Sequence, residues 1–178
     1  MCMMLYIGAD NELPIIEYQD DILLSVVDLP DCYSGVKKHF ETKYHYLANS
    51  HSGCGCGFYY GFYLGITEED INKSRNKLSE WILKYVLVGV SRYSKYKEDR
   101  EEARKEARKE ADELGKKSII ALFDYLRENV SGSNCELVSC LTGEEEKDLI
   151  YNDVIKLSEF KLEDKYKFLQ NQHIEIIK

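Results

Sequence analysis

"KEDREEARKEARKEADELGKK", residues 97 to 117, decides the fold class. The stretch holds eight acidic and eight basic side chains. Like charges stack four residues apart (Glu102, Glu106, Glu110), while opposite charges meet three apart, as in Glu102 with Lys105 and Glu106 with Lys109. On a helix, residues three and four apart are surface neighbours, so this spacing predicts a helix. Its only apolar seam, Ala103, Ala107 and Ala111, is narrow. The expectation is a solvated helix whose alanines leave room for a second helix to approach. Beyond it Ile119, Leu122, Phe123, Leu126 and Val130 recur at the helical period and predict a core-facing stripe.

Upstream, Thr67 followed by Glu68, Glu69 and Asp70 reads as a helix start, because threonine can accept a bond from a free first-turn amide and acids suit the positive end of the dipole. Ile71, Leu78, Ile82, Tyr85 and Gly89 continue one stripe to about Tyr93. Two long helices, 68–94 and 97–129, packed as a hairpin, are the expected insert. The flanking segments read as strands. Met3, Leu5 and Ile7 alternate, and 22–29 (ILLSVVDL) and 43–49 (KYHYLAN) are rich in β-formers. A short helix over 31–40 lies between the last two, with Val36, His39 and Phe40 facing inward. SGSN at 131–134 breaks the helix, CELVSCL at 135–141 is a further strand, and 166–177 the last. The expected fold is α+β. It has a single mixed or antiparallel sheet, with the two-helix hairpin (68–129) inserted between the N-terminal and C-terminal strands of one domain, 1–178.

A chain of 178 residues with 44% hydrophobic side chains can build a core without staples, so its six cysteines need not be disulfides. The N-terminus has no basic start and an apolar run of seven residues, and no stretch reaches the roughly 18 apolar residues of a membrane span. A cytoplasmic protein with reduced thiols is expected. With a net charge of −8, a grip on phosphate backbones is not, so nucleic acid is not the expected main partner.

The chemistry concentrates in HSGCGCGF, 51–58. Three glycines make a sharply folded loop possible, and they place Cys54 and Cys56 two residues apart with His51 just upstream. Two thiolates and an imidazole are the soft S/N donor set that favours zinc. A tetrahedral ion then lacks one ligand. Cys2 at the head of the first strand, Cys140 at the tail of the 135–141 strand, or His45 would supply it if those strand ends meet in an antiparallel pair. The expected metal ligands are Cys54, Cys56, His51, Cys2 and Cys140, with a zinc ion that is either structural or, with an open position, hydrolytic.

Other readings stay open beside this one. The two cysteines can close a small, labile disulfide, or one can be a nucleophile activated by His51 or His45. The glycine amides can form an anion nest, though the Gly-Lys-Ser of a phosphate loop is absent. The thiols can also simply fill a tight turn as small apolar side chains. A rival from another class is an acidic binding or inhibitor protein that uses the helical hairpin against a macromolecular partner.

The N-terminal Met-Cys strand, His51-Ser-Gly-Cys-Gly-Cys-Gly-Phe58 and Cys140-Leu-Thr-Gly-Glu-Glu145 together resemble a group of small bacterial proteins that share this His-x-Gly-Cys-Gly-Cys-Gly-Phe loop. The resemblance implies that Cys2, His51, Cys54, Cys56 and Cys140 belong together. It implies no reaction.

Overall fold

Seven residues without a charge, MMLYIGA, form strand β1 (Met3–Ala9), and every one of them is buried. A strand with both faces covered reads as a continuous apolar run, and it belongs in the middle of a sheet. In the computed structural model β1 pairs antiparallel with β3 (Tyr44–Ser50) on one side and with β4 (Cys135–Leu141) on the other. β2 (Leu24–Asp28) adds to β3, and β6 (Gln172–Ile177) to β4, both antiparallel. β5 (Tyr151–Lys156) runs parallel to β6 at the far edge, so the sheet is mixed, with order β2-β3-β1-β4-β6-β5. The structure describes residues 2–58, 90–130, 132, 134–161 and 168–178.

Among the described residues one α-helix, α1 (Val90–Asn129), precedes β4, and its side chains are described from residue 109 onward. The expected two-helix hairpin is corrected by this element. α1 runs unbroken through residues 95 and 96, where the hairpin was to turn, and among the described residues no two-helix hairpin stands between β3 and β4. Most of the expected first helix, 68–89, lies outside the described residues. The physical reason is that SRYSKYK, 91–97, contains neither glycine nor proline. An apolar stripe can end while the backbone hydrogen bonds continue, because only a breaker stops the helix.

The chain divides into two compact units, Met1–Tyr60 with Glu113–Lys178, and Gly61–Asp112. In the first unit the C-terminal part of α1 covers one face of the sheet. Ile119, Leu122, Phe123 and Leu126 are fully buried there and Val130 nearly so, against Met3, Leu5 and Ile7 of β1, Leu137 of β4 and Ile174 of β6. Arg127 fastens this end of the helix by donating to the carbonyls of Leu157 and Phe160. The Tyr125 hydroxyl donates to the Pro14 carbonyl at 2.7 Å, tying the helix to the chain between β1 and β2. Tyr125→Phe is expected to cost about 1 kcal/mol, the net worth of one such bond, read as a lower urea midpoint with an unchanged slope.

The opposite face buries Met4, Tyr6, Leu47, Val138 and Cys140. Its cover is the strap between β2 and β3, which contains a 3₁₀ segment (Asp31–His39) with Val36 fully buried, and then Phe40. Gly8 of β1 leaves room for the strap, since a Cβ there would run into the side chains of Phe40 and Thr42. Glu136 of β4 holds the strap down. One of its carboxylate oxygens accepts the backbone N–H groups of Glu41 (3.0 Å) and Thr42 (3.2 Å), and the other lies 2.9 Å from His173 Nε2 on β6.

Candidate functional site

β3 ends at Ser50, and the chain turns at once into HSGCGCGF. Each glycine has a separate cause. Gly53 takes a φ of +70°, in the left-handed region that a Cβ disfavours. Gly55 sits directly on β1, where a Cβ would lie 2.6 Å from the Met3 carbonyl oxygen and 3.1 Å from the Leu5 nitrogen. At Gly57 a Cβ would collide with Ser50 and meet His51 Cε1 at 2.8 Å. Gly53 is therefore demanded by its backbone conformation, and Gly55 and Gly57 by the close approach of the loop to β1 and to the end of β3.

The loop ends in a 3₁₀ turn, Gly55–Phe58, whose Phe58 ring is fully buried and meets Phe168 edge-on, with centroids 6.4 Å apart. At its start the Ser50 hydroxyl donates to the Cys54 carbonyl at 2.8 Å, and the Cys54 carbonyl also accepts the Ser50 N–H. Ser118 of α1, itself buried, takes the His51 backbone N–H at 3.2 Å, and its hydroxyl lies 3.0 Å from His51 Nδ1. This ring is fixed to the helix through one nitrogen, and burial lowers its pKa.

Cys54 and Cys56 are free thiols, each half-buried. The Cys56 thiol points to the Met3 carbonyl at 3.9 Å and packs against the core on the helix side of the sheet. Burial pushes Cys56 up to about 11, against a lowering by the Met3 backbone and with a smaller push from the neighbouring Cys54 side chain. The charge of a Cys2 thiolate acts in the same direction. Cys54 Sγ lies 3.4 Å from the Ser52 hydroxyl, which is 3.0 Å from that of Ser50.

Of the five residues expected at one centre, the fold gathers His51, Cys54 and Cys56 on one loop and brings Cys2 beside it. β1 and β4 pair antiparallel, and the Thr142 N–H bonds the Cys2 carbonyl at 2.8 Å, so the two strand ends do meet. Cys140 is nevertheless separated from the loop. It stands opposite Met4 in the register and is buried in the cluster on the other face, since side chains alternate along a strand. Burial, followed by the charges of Glu145 and Glu144, pushes Cys140 up to about 12. His45, paired with Gly8, belongs to that face too, its ring tilted against Phe40 at 5.2 Å. Cys32 is exposed and Cys135 buried.

Among the described residues no group of three or more His, Cys, Asp or Glu side chains is set to hold a metal ion. What the arrangement offers is a pair of neighbouring thiols on a clamped turn, with a serine hydroxyl on one of them. Ser50, Ser52 and Ser118, which position the pair, were not singled out from the sequence. Their only signal there is that two serines flank His51. A second polar group also went unread. Glu136, His173, His39 and His45 share the strap side of the sheet, where His39 Nε2 lies 2.9 Å from the Glu145 carbonyl.

No protein-family profile matches this chain, and no match was found among curated proteins or solved structures. Among the described residues no helix is long and apolar enough to cross a membrane.

Proposed function

We propose that the protein works as a dithiol/disulfide redox protein through Cys54 and Cys56, in a reducing compartment such as the cytoplasm. The observation that carries this reading is the placement of two half-buried free thiols two residues apart on one turn that is anchored at Gly55 on β1, at Phe58 in the core and at His51 on Ser118. The reaction is thiol–disulfide exchange. A thiolate of the pair attacks an external disulfide and releases one thiol; the second cysteine then loses its proton and attacks the mixed disulfide. The products are a Cys54–Cys56 disulfide and two small thiols, so two electrons pass from the protein to the external disulfide. A ring closed over a single glycine is strained, and strain raises the reduction potential of a disulfide.

In a glutathione redox buffer the protein is expected to lose two of its six thiols in one reversible step. Its midpoint should lie above the value of about −300 mV below which structural disulfides fall. Unchanged thiol counts across the whole range, or an identical titration in Cys54→Ser, would reject the reading.

A second reading is a soft metal ion held by the same thiolates, with His51 and Cys2 completing the set. It is favoured by the packing of the loop on β1 at Met3, next to Cys2, where Gly55 and the Cys56 thiol meet the Met3 carbonyl. Elemental analysis of protein purified without added metal separates the two. Stoichiometric zinc that disappears in Cys54→Ser would favour the metal.

A further inference from the structure

The thiol turn has an exposed apolar neighbour that the exchange chemistry does not use. Between β1 and β2 the chain doubles back along β2, where Ile16 and Val26 exchange both backbone hydrogen bonds, at 2.8 and 2.9 Å. Ile16 packs against the core on the helix side of the sheet, while Ile15 and Tyr18 are left 46% and 47% exposed. The Tyr18 ring lies over the thiol turn. A Cβ on Gly53 would meet its Cε2 and Cζ at 3.3 Å, and its hydroxyl is 3.5 Å from the His51 carbonyl oxygen. Gly53 is bonded to Cys54, so an exposed aromatic ring stands beside the first thiol of the pair. Tyrosine is among the residues that most often anchor a binding partner, because its ring buries a large area at little cost in side-chain freedom.

The charge around Ile15 and Tyr18 has one sign. Residues 1–36 hold seven acidic side chains and no lysine, arginine or histidine, which accounts for nearly the whole net charge of −8. Glu17, Asp20 and Asp21 are exposed, and none of them is in an ion pair among the described residues. Asp20 and Asp21 sit on a turn closed by the Ile22 N–H to the Gln19 carbonyl at 3.2 Å. The apolar pair defines the surface, and the carboxylates define what fits it. An apolar centre inside an acidic rim is complementary to a chain that sets apolar side chains between lysines or arginines. These groups are spread from Ile15 to Asp21, a footprint that several residues of a polypeptide fill and a single amine does not. The same field repels a second copy of this face, a nucleic acid and anionic glutathione.

We infer that Ile15 and Tyr18, rimmed by Glu17, Asp20 and Asp21, form a docking surface for a basic polypeptide segment, which brings a disulfide of its own to the Cys54–Cys56 turn. In the exchange the protein's two thiols are oxidised to a Cys54–Cys56 disulfide. The disulfide of the docked segment takes up the two electrons and two protons and leaves as two thiols. Docking itself needs no thiol. The exchange that follows it rests on the dithiol reading, and the test has an arm for each.

Three synthetic peptides of equal length are compared, each with one cysteine held as a mixed disulfide with thionitrobenzoate. One is built of arginine and leucine, one has glutamate for arginine, and one has serine for leucine. Release of thionitrobenzoate is followed in a background with the exposed Cys2 and Cys32 changed to serine. At low salt the arginine–leucine peptide is expected to react about tenfold faster than either of the others, and added salt should shrink its lead over the glutamate peptide. Ile15→Ser with Tyr18→Ser should abolish most of the preference over the serine peptide. Glu17→Gln, Asp20→Asn and Asp21→Asn together should abolish most of the preference over the glutamate peptide. Equal rates for the three peptides, or preferences that survive both variants, overturn the docking surface. The second arm measures binding of a fluorescent arginine–leucine peptide without cysteine, by anisotropy. Binding that is lost in both variants supports the surface, and no binding to the parent overturns it. If that peptide binds but its thionitrobenzoate form releases nothing, the surface stands and the dithiol reading falls.

Discussion

Glu136→Ala is expected to lower stability by about 2–4 kcal/mol, because it leaves the backbone donors of the strap without their acceptor. The side chain is 8% exposed, second in a strand and flanked by Cys135 and Leu137. Its loss would strand the N–H groups of Glu41 and Thr42 and leave His173 Nε2 without its carboxylate. Glu136→Gln keeps an oxygen for the two amides and loses the charge, so it should cost about half as much, since a charge-assisted bond is roughly twice as strong as a neutral one.

The pH dependence has a definite sign. Burial raises the Glu136 pKa, but the His173 hydrogen bond, followed by bonds from the strap, outweighs it, and the carboxyl ends below its ordinary 4.5. A group depressed in the folded state contributes stability that is complete above the unfolded value and is lost as pH falls through the folded one. His39, His45 and His51 act in the same direction from a higher pH. Burial, their first cause, lowers each below 6.5, so protonation favours the unfolded chain as pH drops beneath that value. Urea midpoints should therefore fall in two stages on acidification, below pH 6.5 and again below 4.5, and Glu136→Ala should shrink the second, to which Glu144, also held below 4.5, contributes as well. If that variant unfolds within about 1 kcal/mol of the parent, or keeps the acid stage undiminished, the carboxylate does not hold the strap.

Gly55→Ala is the second large effect. The new methyl would lie 2.6 Å from Met3 O, 3.0 Å from Met4 Cα and 3.1 Å from Leu5 N. All three are backbone atoms of β1, which cannot move without disturbing its pairing with both β3 and β4. The turn has to lift instead, and Phe58, fully buried, has to lift with it. Overpacking of this kind costs about 1–3 kcal/mol, and for a chain of this size each kcal/mol lowers the melting temperature by roughly 2–4 °C. Cys56 would move away from the core and become easier to alkylate. Gly143→Ala is the comparison. It carries a φ of +85° with nothing within 4 Å, so it suffers only the left-handed backbone penalty and should leave thiol reactivity unchanged. Equal alkylation rates in Gly55→Ala and the parent would show that the glycine does not seat the turn.

Local pattern was enough for the elements whose environment is written in their own side chains. MMLYIGA reads as a strand, and the stripe from Ile119 to Val130 as the buried side of a helix, because apolar spacing is what burial selects. YNDVIK did not read as a strand. As β5 it is an exposed edge, where no second strand or core dictates an alternating pattern. The hairpin was misread for a related reason, since a change in the apolar stripe records what a helix packs against and not whether its backbone ends.

By itself the sequence determined that three glycines, two thiols and a histidine fall in one loop after a strand. Only the tertiary structure decided which cysteines share it. Alternation along paired strands sends Cys140 to the strap face and leaves Cys56 on the helix face, and the parity of two distant residues exists only once the register between β1 and β4 is set.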